Sequence, residues 1–179
     1  MAGPADHGAA ARAAAELVEV VAIDGSVERV ATRAEMRAGR LRHRCTYVVV
    51  LDAAERVVVH QRAAWKDVWP SRWDLAFGGV VGVGEQWADA ARRELAEEAG
   101  IVAELEALGE GAYEDQDAAL VGHLYLARHD GPWTFPDGEV VASERIPVAE
   151  VLGWITARPH CPDGVALLGP ALGRLAGLG

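Results

Sequence analysis

A chain of 179 residues, 51% apolar and 25% charged, is long enough to bury a sizeable core as one domain. Its net charge of −10 excludes sequence-independent nucleic-acid binding, which needs a basic surface, and repels a phosphorylated substrate at long range unless local cations reverse the field. Two cysteines, Cys45 and Cys161, without CxxC spacing, exclude a disulfide framework and a zinc site of that type; a reducing cytoplasm is the default, and no apolar run is long enough for a membrane helix.

Residues 1–16 are rich in alanine, lack the apolar block of a signal peptide and are read as a disordered tail, with a single domain over 17–179. Residues 17–23 (LVEVVAI) predict a short strand closed by the Asp24-Gly25 turn, and residues 27–30 a partner for it. Residues 33–42 fit a helical turn or a loop. The β-branched run 45–51 (CTYVVVL) predicts a buried strand, and 57–61 (VVVHQ) the returning arm of a hairpin. Residues 63–73 form a loop carrying Trp65, Trp69 and Trp73. A helix is expected from Glu85 or Gln86 to Gly100, a suitable left-handed stop.

Residues 104–114 give no clear signal. Residues 120–127 (LVGHLYLA) predict a strand and 131–138 a loop. Residues 147–155 read as a helix with Pro147 in its first turn, and 165–178 as a last helix weakened by glycines and Pro170. Strands, helix, strand and helix in this order predict an α/β fold, a mixed sheet with helices on its faces.

The densest signal is residues 79–101, GVVGVGEQWADAARRELAEEAGI. Glu94, Glu97 and Glu98 stand at i, i+3 and i+4, which puts three carboxylates on one helix face within reach of a common point. Three like charges so close repel, and a hard divalent cation is the simplest thing that makes the arrangement favourable.

With Gly79, Glu85, Arg93 and Gly100 at their spacings, this stretch resembles the Nudix box of the Nudix hydrolases, and the similarity extends over residues 41–151. The resemblance implies an α/β/α sandwich with the box as a loop–helix unit. It implies metal-dependent cleavage of a phosphoanhydride in a nucleoside diphosphate-linked or related diphosphate compound. Mg²⁺ or Mn²⁺ would be held by Glu94, Glu97 and Glu98, with a backbone carbonyl near Gly78 or Gly79. Glu85 and Arg93 would fix the loop on the helix through charge-assisted hydrogen bonds. A homodimer is common among such relatives.

Family members often carry a general base outside the box, and Glu139 in the PDGEVV segment is the candidate; Glu114, Asp115 and Asp117 are alternatives. Arg62 and Lys66, the only lysine, are candidates for holding a terminal phosphate, and Trp73 with Trp65 and Trp69 for stacking on a base or an isoprenoid. His43, His60 and His123 read as structural histidines with satisfied rings.

Outside the box the chain is also similar to type 1 isopentenyl-diphosphate isomerases, in Leu41-Arg42-His43, Gln61-Arg62-Ala63 and the Lys66…Trp69-Pro70…Trp73 loop. The isomerases' cysteine and histidine positions are Gly78 and Val80 here, and their acidic pair falls at Ala118 and Leu120. The frame is present without that chemistry. A binding module that has lost turnover is the remaining alternative.

Overall fold

The computed structural model describes residues 13–177. Of the tail expected over 1–16, residues 1–12 lie outside the described residues, and 13–15 are helical. Strands β1 (Leu17–Val21) and β2 (Val27–Thr32) form an antiparallel hairpin, with Leu17 opposite Thr32. Thr32 then caps helix α1 (Arg33–Ala38). Its hydroxyl accepts from the Glu35 N–H at 3.2 Å, and the Glu35 carboxylate accepts from the Thr32 N–H at 2.8 Å. This reciprocal box satisfies two otherwise orphaned donors and decides the 33–42 segment for helix.

Strand β3 (His43–Leu51) is buried along its whole length and runs parallel to β7 (Ala119–Arg128), from His43 opposite Leu120 to Leu51 opposite Arg128. Strand β6 (Leu105–Glu114) adds antiparallel to β7. Strand β4 (Arg56–Arg62) pairs antiparallel with the two-residue β5 (Trp73–Asp74) and with β8 (Val140–Pro147). The result is a mixed eight-stranded sheet.

Alternation along the central strands assigns the layers. Val48, Val50 and Val58 face helix α2 (Trp87–Ala99), packing with Phe77, Ala91, Leu95 and Ala99. Tyr47, Val49, Leu51, Val57 and Val59 face the other way, toward α3 (Val151–Thr156) and α4 (Pro162–Leu175), and pack with Val151, Ile155, Leu168 and Leu172. The α/β/α sandwich expected from the sequence is the observed architecture.

Three local expectations are corrected. Residues 140–147 form a strand, so Pro147 ends β8 and does not open a helix; the helix begins at Val151. Helix α2 begins at Trp87 with Gln86 as its cap, because Glu85 is held in the preceding turn by the Gly82 N–H at 2.8 Å. Helix α4 begins at Pro162, whose missing N–H costs nothing at a first helical position, and tolerates Gly169, Pro170 and Gly173 inside it.

Candidate active site

Helix α2 and the turn before it form one unit, joined by Arg93. The Arg93 guanidinium donates from Nε to Glu85 Oε1 and from Nη2 to Glu85 Oε2, both at 2.9 Å. Its Nη1 donates to Glu94 at 2.8 Å and to Glu97 at 3.2 Å. The two-pronged bond to Glu85 is the strong kind of ion pair, and Arg93 accordingly holds the Glu85 carboxyl below its usual range. Gly100 ends the helix in the left-handed region, with φ 64°.

A second clamp lies behind the turn. Arg44 of β3 donates to Glu19 of β1 at 2.6 Å and to the Glu85 carbonyl at 3.0 Å, while the Gly84 N–H donates to the other Glu19 oxygen at 2.9 Å. Trp87 is packed between the Arg44 guanidinium, 4.2 Å away, and the His123 ring, stacked at 3.9 Å.

In front of α2 opens a cleft of about 600 Å³. Glu94, Glu97, Glu98, Gly78, Gly79, Arg93, Glu139, Arg62 and Lys66 all line it. Glu98 is buried and accepts from the Gly78 N–H at 2.9 Å. Burial, with the neighbouring Glu94 charge second, pushes the Glu98 carboxyl well above the usual carboxylate range. Burial also raises Glu94.

The three carboxylates do not converge as the helical spacing suggested. Glu97 stands at the rim with 58% of its side chain exposed and is held by Arg93. Among the described residues no three His, Cys, Asp or Glu side chains form a ready-made metal cage. The donors nonetheless suit a hard cation. Glu98 is buried, Glu94 beside it is partly buried, the two repel each other, and a divalent ion is what such a pair lacks.

Glu139 reaches the same cleft from the loop before β8 and forms an ion pair with Lys66. The alternatives for a base are occupied outside the cleft lining. Glu114 pairs with Arg40 and Arg42, Asp115 accepts from Tyr113 and the Ala118 N–H, and Asp117 accepts from the Trp69 indole.

Two other expectations are corrected. Trp73 is not among the residues lining the cleft; it pairs with β4 and packs edge-on against Trp154 at 4.9 Å. Trp69 is the tryptophan that lines the cleft, and Trp65 is exposed. His60 stacks on Phe77 as a core residue, but its buried Nδ1 has no partner. His43, by contrast, is bonded to the Leu41 carbonyl at 3.0 Å.

The cleft also contains residues that no sequence pattern marked. Thr46, Tyr47, Asp74 and Asp163 also line it, contributed by β3, β5 and α4. They are far apart in the chain and share no spacing. Asp163, directly after Pro162, reads in the sequence only as a helix-start acid.

Comparison with known proteins agrees with this geometry. The NUDIX domain family matches residues 41–163. The uncharacterised Nudix hydrolase YfcD of Salmonella typhi is 39% identical over 129 residues, covering 72% of this chain and 70% of the relative. The uncharacterised Nudix hydrolase SCO1686 of Streptomyces coelicolor is 35% identical over 154 residues, 84% of this chain and 85% of its own. Among solved structures, DR0079 of Deinococcus radiodurans shares the fold with a TM-score of 0.67 at 21% identity, covering 79% of this chain and 90% of that one. The Nudix domain of Shewanella oneidensis NrtR, solved with ADP ribose, shares it at 0.61 and 21%, covering 81% and 99%. With the family match spanning well over half its length, the chain belongs to the Nudix hydrolase family.

Proposed function

We propose that the protein is a hydrolase that uses Mg²⁺ or Mn²⁺ to cleave the phosphoanhydride of a nucleoside diphosphate-linked or related diphosphate compound. The observation that carries this reading is the pair of cleft-lining carboxylates Glu94, partly buried, and Glu98, buried, whose mutual repulsion a divalent ion would relieve. Glu94 and Glu98 would hold the metal, with Glu97 joining from the rim. The Gly79 carbonyl is engaged by the Thr46 N–H at 2.9 Å, which leaves Gly78 to offer its own. When bound, the ion neutralises charge on the phosphate oxygens and lowers the pKa of water.

The remaining work falls to protein groups. Lys66 and Arg62 offset negative charge on the arriving phosphates, against the net −10 of the chain. Glu139 would take a proton from the attacking water, a role supported by its place in the cleft lining and its pairing with Lys66. A phosphate that draws Lys66 away frees Glu139 for that task.

Isomerase chemistry is the weaker reading. Cys45 does line the cleft, beside Val80, but burial pushes its thiol up to about 12, far from a useful acid or base at neutrality.

The test is release of phosphate, or of a monophosphate product, from a panel of diphosphate compounds with and without Mg²⁺ or Mn²⁺, repeated with Glu98→Gln. Metal-dependent release that drops about 10²-fold or more in the variant is expected. Release at the parent rate in Glu98→Gln would sink the metal assignment. Conversion of isopentenyl to dimethylallyl diphosphate would replace hydrolysis with isomerisation.

A further inference from the structure

The cleft is lined by a second set of polar side chains besides the glutamates of α2. Tyr47, in the middle of β3, donates its hydroxyl to Asp163 Oδ2 at 2.6 Å. Asp163 is only 6% exposed, and its Oδ1 has no hydrogen-bond partner. Asp74 stands nearby and accepts from the Leu75 N–H at 2.8 Å; Arg62 approaches Asp74 at 3.7 Å. The Arg62 Nε and the Thr46 hydroxyl are also buried without partners.

Among the described residues five buried side-chain polar atoms are unpartnered, and three of them belong to residues lining this cleft. Buried polar atoms are nearly always paired, because an unpaired one gives up its hydration for nothing. Such atoms on the lining residues of a ligand-sized cleft indicate a ligand that supplies the partners. They include the free acceptor of Asp163, so the matching ligand group carries a donor. Burial, and then the Asp74 charge, raise the Asp163 carboxyl to about 7, and an incoming donor would favour its ionised form.

We propose that Tyr47 and Asp163 form the subsite for the non-phosphate part of the substrate, and that Asp163 selects a group bearing N–H or O–H donors, a heterocyclic base or a sugar, over a hydrocarbon chain. The proposal rests on the diphosphate-hydrolase reading for placing the phosphates at Glu94 and Glu98. A prenyl tail would cover Asp163 without pairing its free oxygen. Discrimination of that origin is larger than apolar contact alone provides, since the mismatched ligand leaves a buried polar group unmet.

Monophosphates carry no anhydride to cleave, so they separate binding from turnover. Dissociation constants for adenosine 5′-monophosphate, ribose 5-phosphate and isopentenyl monophosphate would be measured by calorimetry on the full chain and on Asp163→Asn. The parent protein is expected to prefer at least one donor-bearing compound over the prenyl one by about tenfold or more. Asp163→Asn should reduce that preference to about threefold or less, leaving affinity for the prenyl compound unchanged. A preference confined to the adenosine compound assigns the donor to the base; one shared by ribose 5-phosphate assigns it to the sugar.

Equal affinity of the parent for all three, or equal weakening of all three in Asp163→Asn, overturns the proposal. Tyr47→Phe is the second variant, should Asp163→Asn fold poorly. It keeps the carboxylate but releases it from the hydroxyl, and an unchanged preference there also counts against the subsite. A retained preference without hydrolysis of any diphosphate would refute the hydrolase reading alone; hydrolysis without a preference would refute only the subsite.

Discussion

The Glu94 carboxylate lies against the bare α-carbon of Gly79, so close that a methyl group there would sit 2.7 Å from its oxygen and carbon atoms. The absent side chain of one residue is the space occupied by the acid of the other. Gly79→Ala is therefore expected to push Glu94 aside. Because catalytic rates respond steeply to displacements of about an ångström, hydrolysis should fall on the order of 10²-fold. Since Glu94 is a jointed side chain that can swing away, the melting temperature should fall by only a few degrees, as a thermal melt beside the rate assay would show.

Arg93→Lys separates charge from geometry. The lysine keeps the positive charge but cannot reach Glu85 with two donors while touching Glu94 and Glu97 with a third. Activity is expected to fall by about tenfold to a hundredfold, with a stability loss of roughly 1 kcal/mol, kept small by partial exposure of the pair. Steady-state rates across a metal titration would check it, the variant needing more metal for half-maximal rate.

The dependence of stability on pH contains two opposing contributions. Burial lowers His43 and His60 from 6.5 to about 4. Between those values the unfolded chain binds two imidazole protons that the folded state refuses, so stability falls as pH drops from 6.5 toward 4. Asp163 acts the other way. Its carboxyl is raised from 3.8 to about 7, so the folded state binds its proton first and gains stability as pH falls through 7. Glu94 and Glu98, raised by burial as well, act in the same sense as Asp163. Asp163→Asn removes the Asp163 share of this contribution. Relative to the parent it should lose stability as pH falls from 7 toward 4, with its advantage in melting temperature greatest near pH 8 and absent below pH 4. Melts across buffers from pH 4 to 8 would show an advantage independent of pH if Asp163 does not titrate in this way.

The sequence displayed the middle of the molecule better than its edges. Strands β3 and β7 are buried on both faces, so they read as unbroken apolar runs. Strand β8 pairs on one side only and exposes Val141 and Glu144, so its pattern carries no alternation, and Pro147 suggested a helix start. Strand β6 is similarly half exposed, with a register shift around Gly109. The box residues were legible because Arg93, Glu94, Glu97 and Glu98 lie within two helical turns. Tyr47, Asp74 and Asp163 were not, because only the folded sheet brings residues 47, 74 and 163 to one wall. Trp73 was misjudged for a related reason: a tryptophan on a loop looks available until its cross-packing with Trp154 is seen.

Glu19 is not among the residues lining the cleft, yet it holds the turn before α2 from behind through Arg44 and the Gly84 N–H. The family match begins at residue 41, after this glutamate and the whole β1–β2 hairpin. A protein trimmed to that match would retain every box residue and leave Arg44 without its carboxylate. The recognisable portion of the chain is thus smaller than its working portion, and kinship by motif understates how much of the polypeptide keeps the motif in shape.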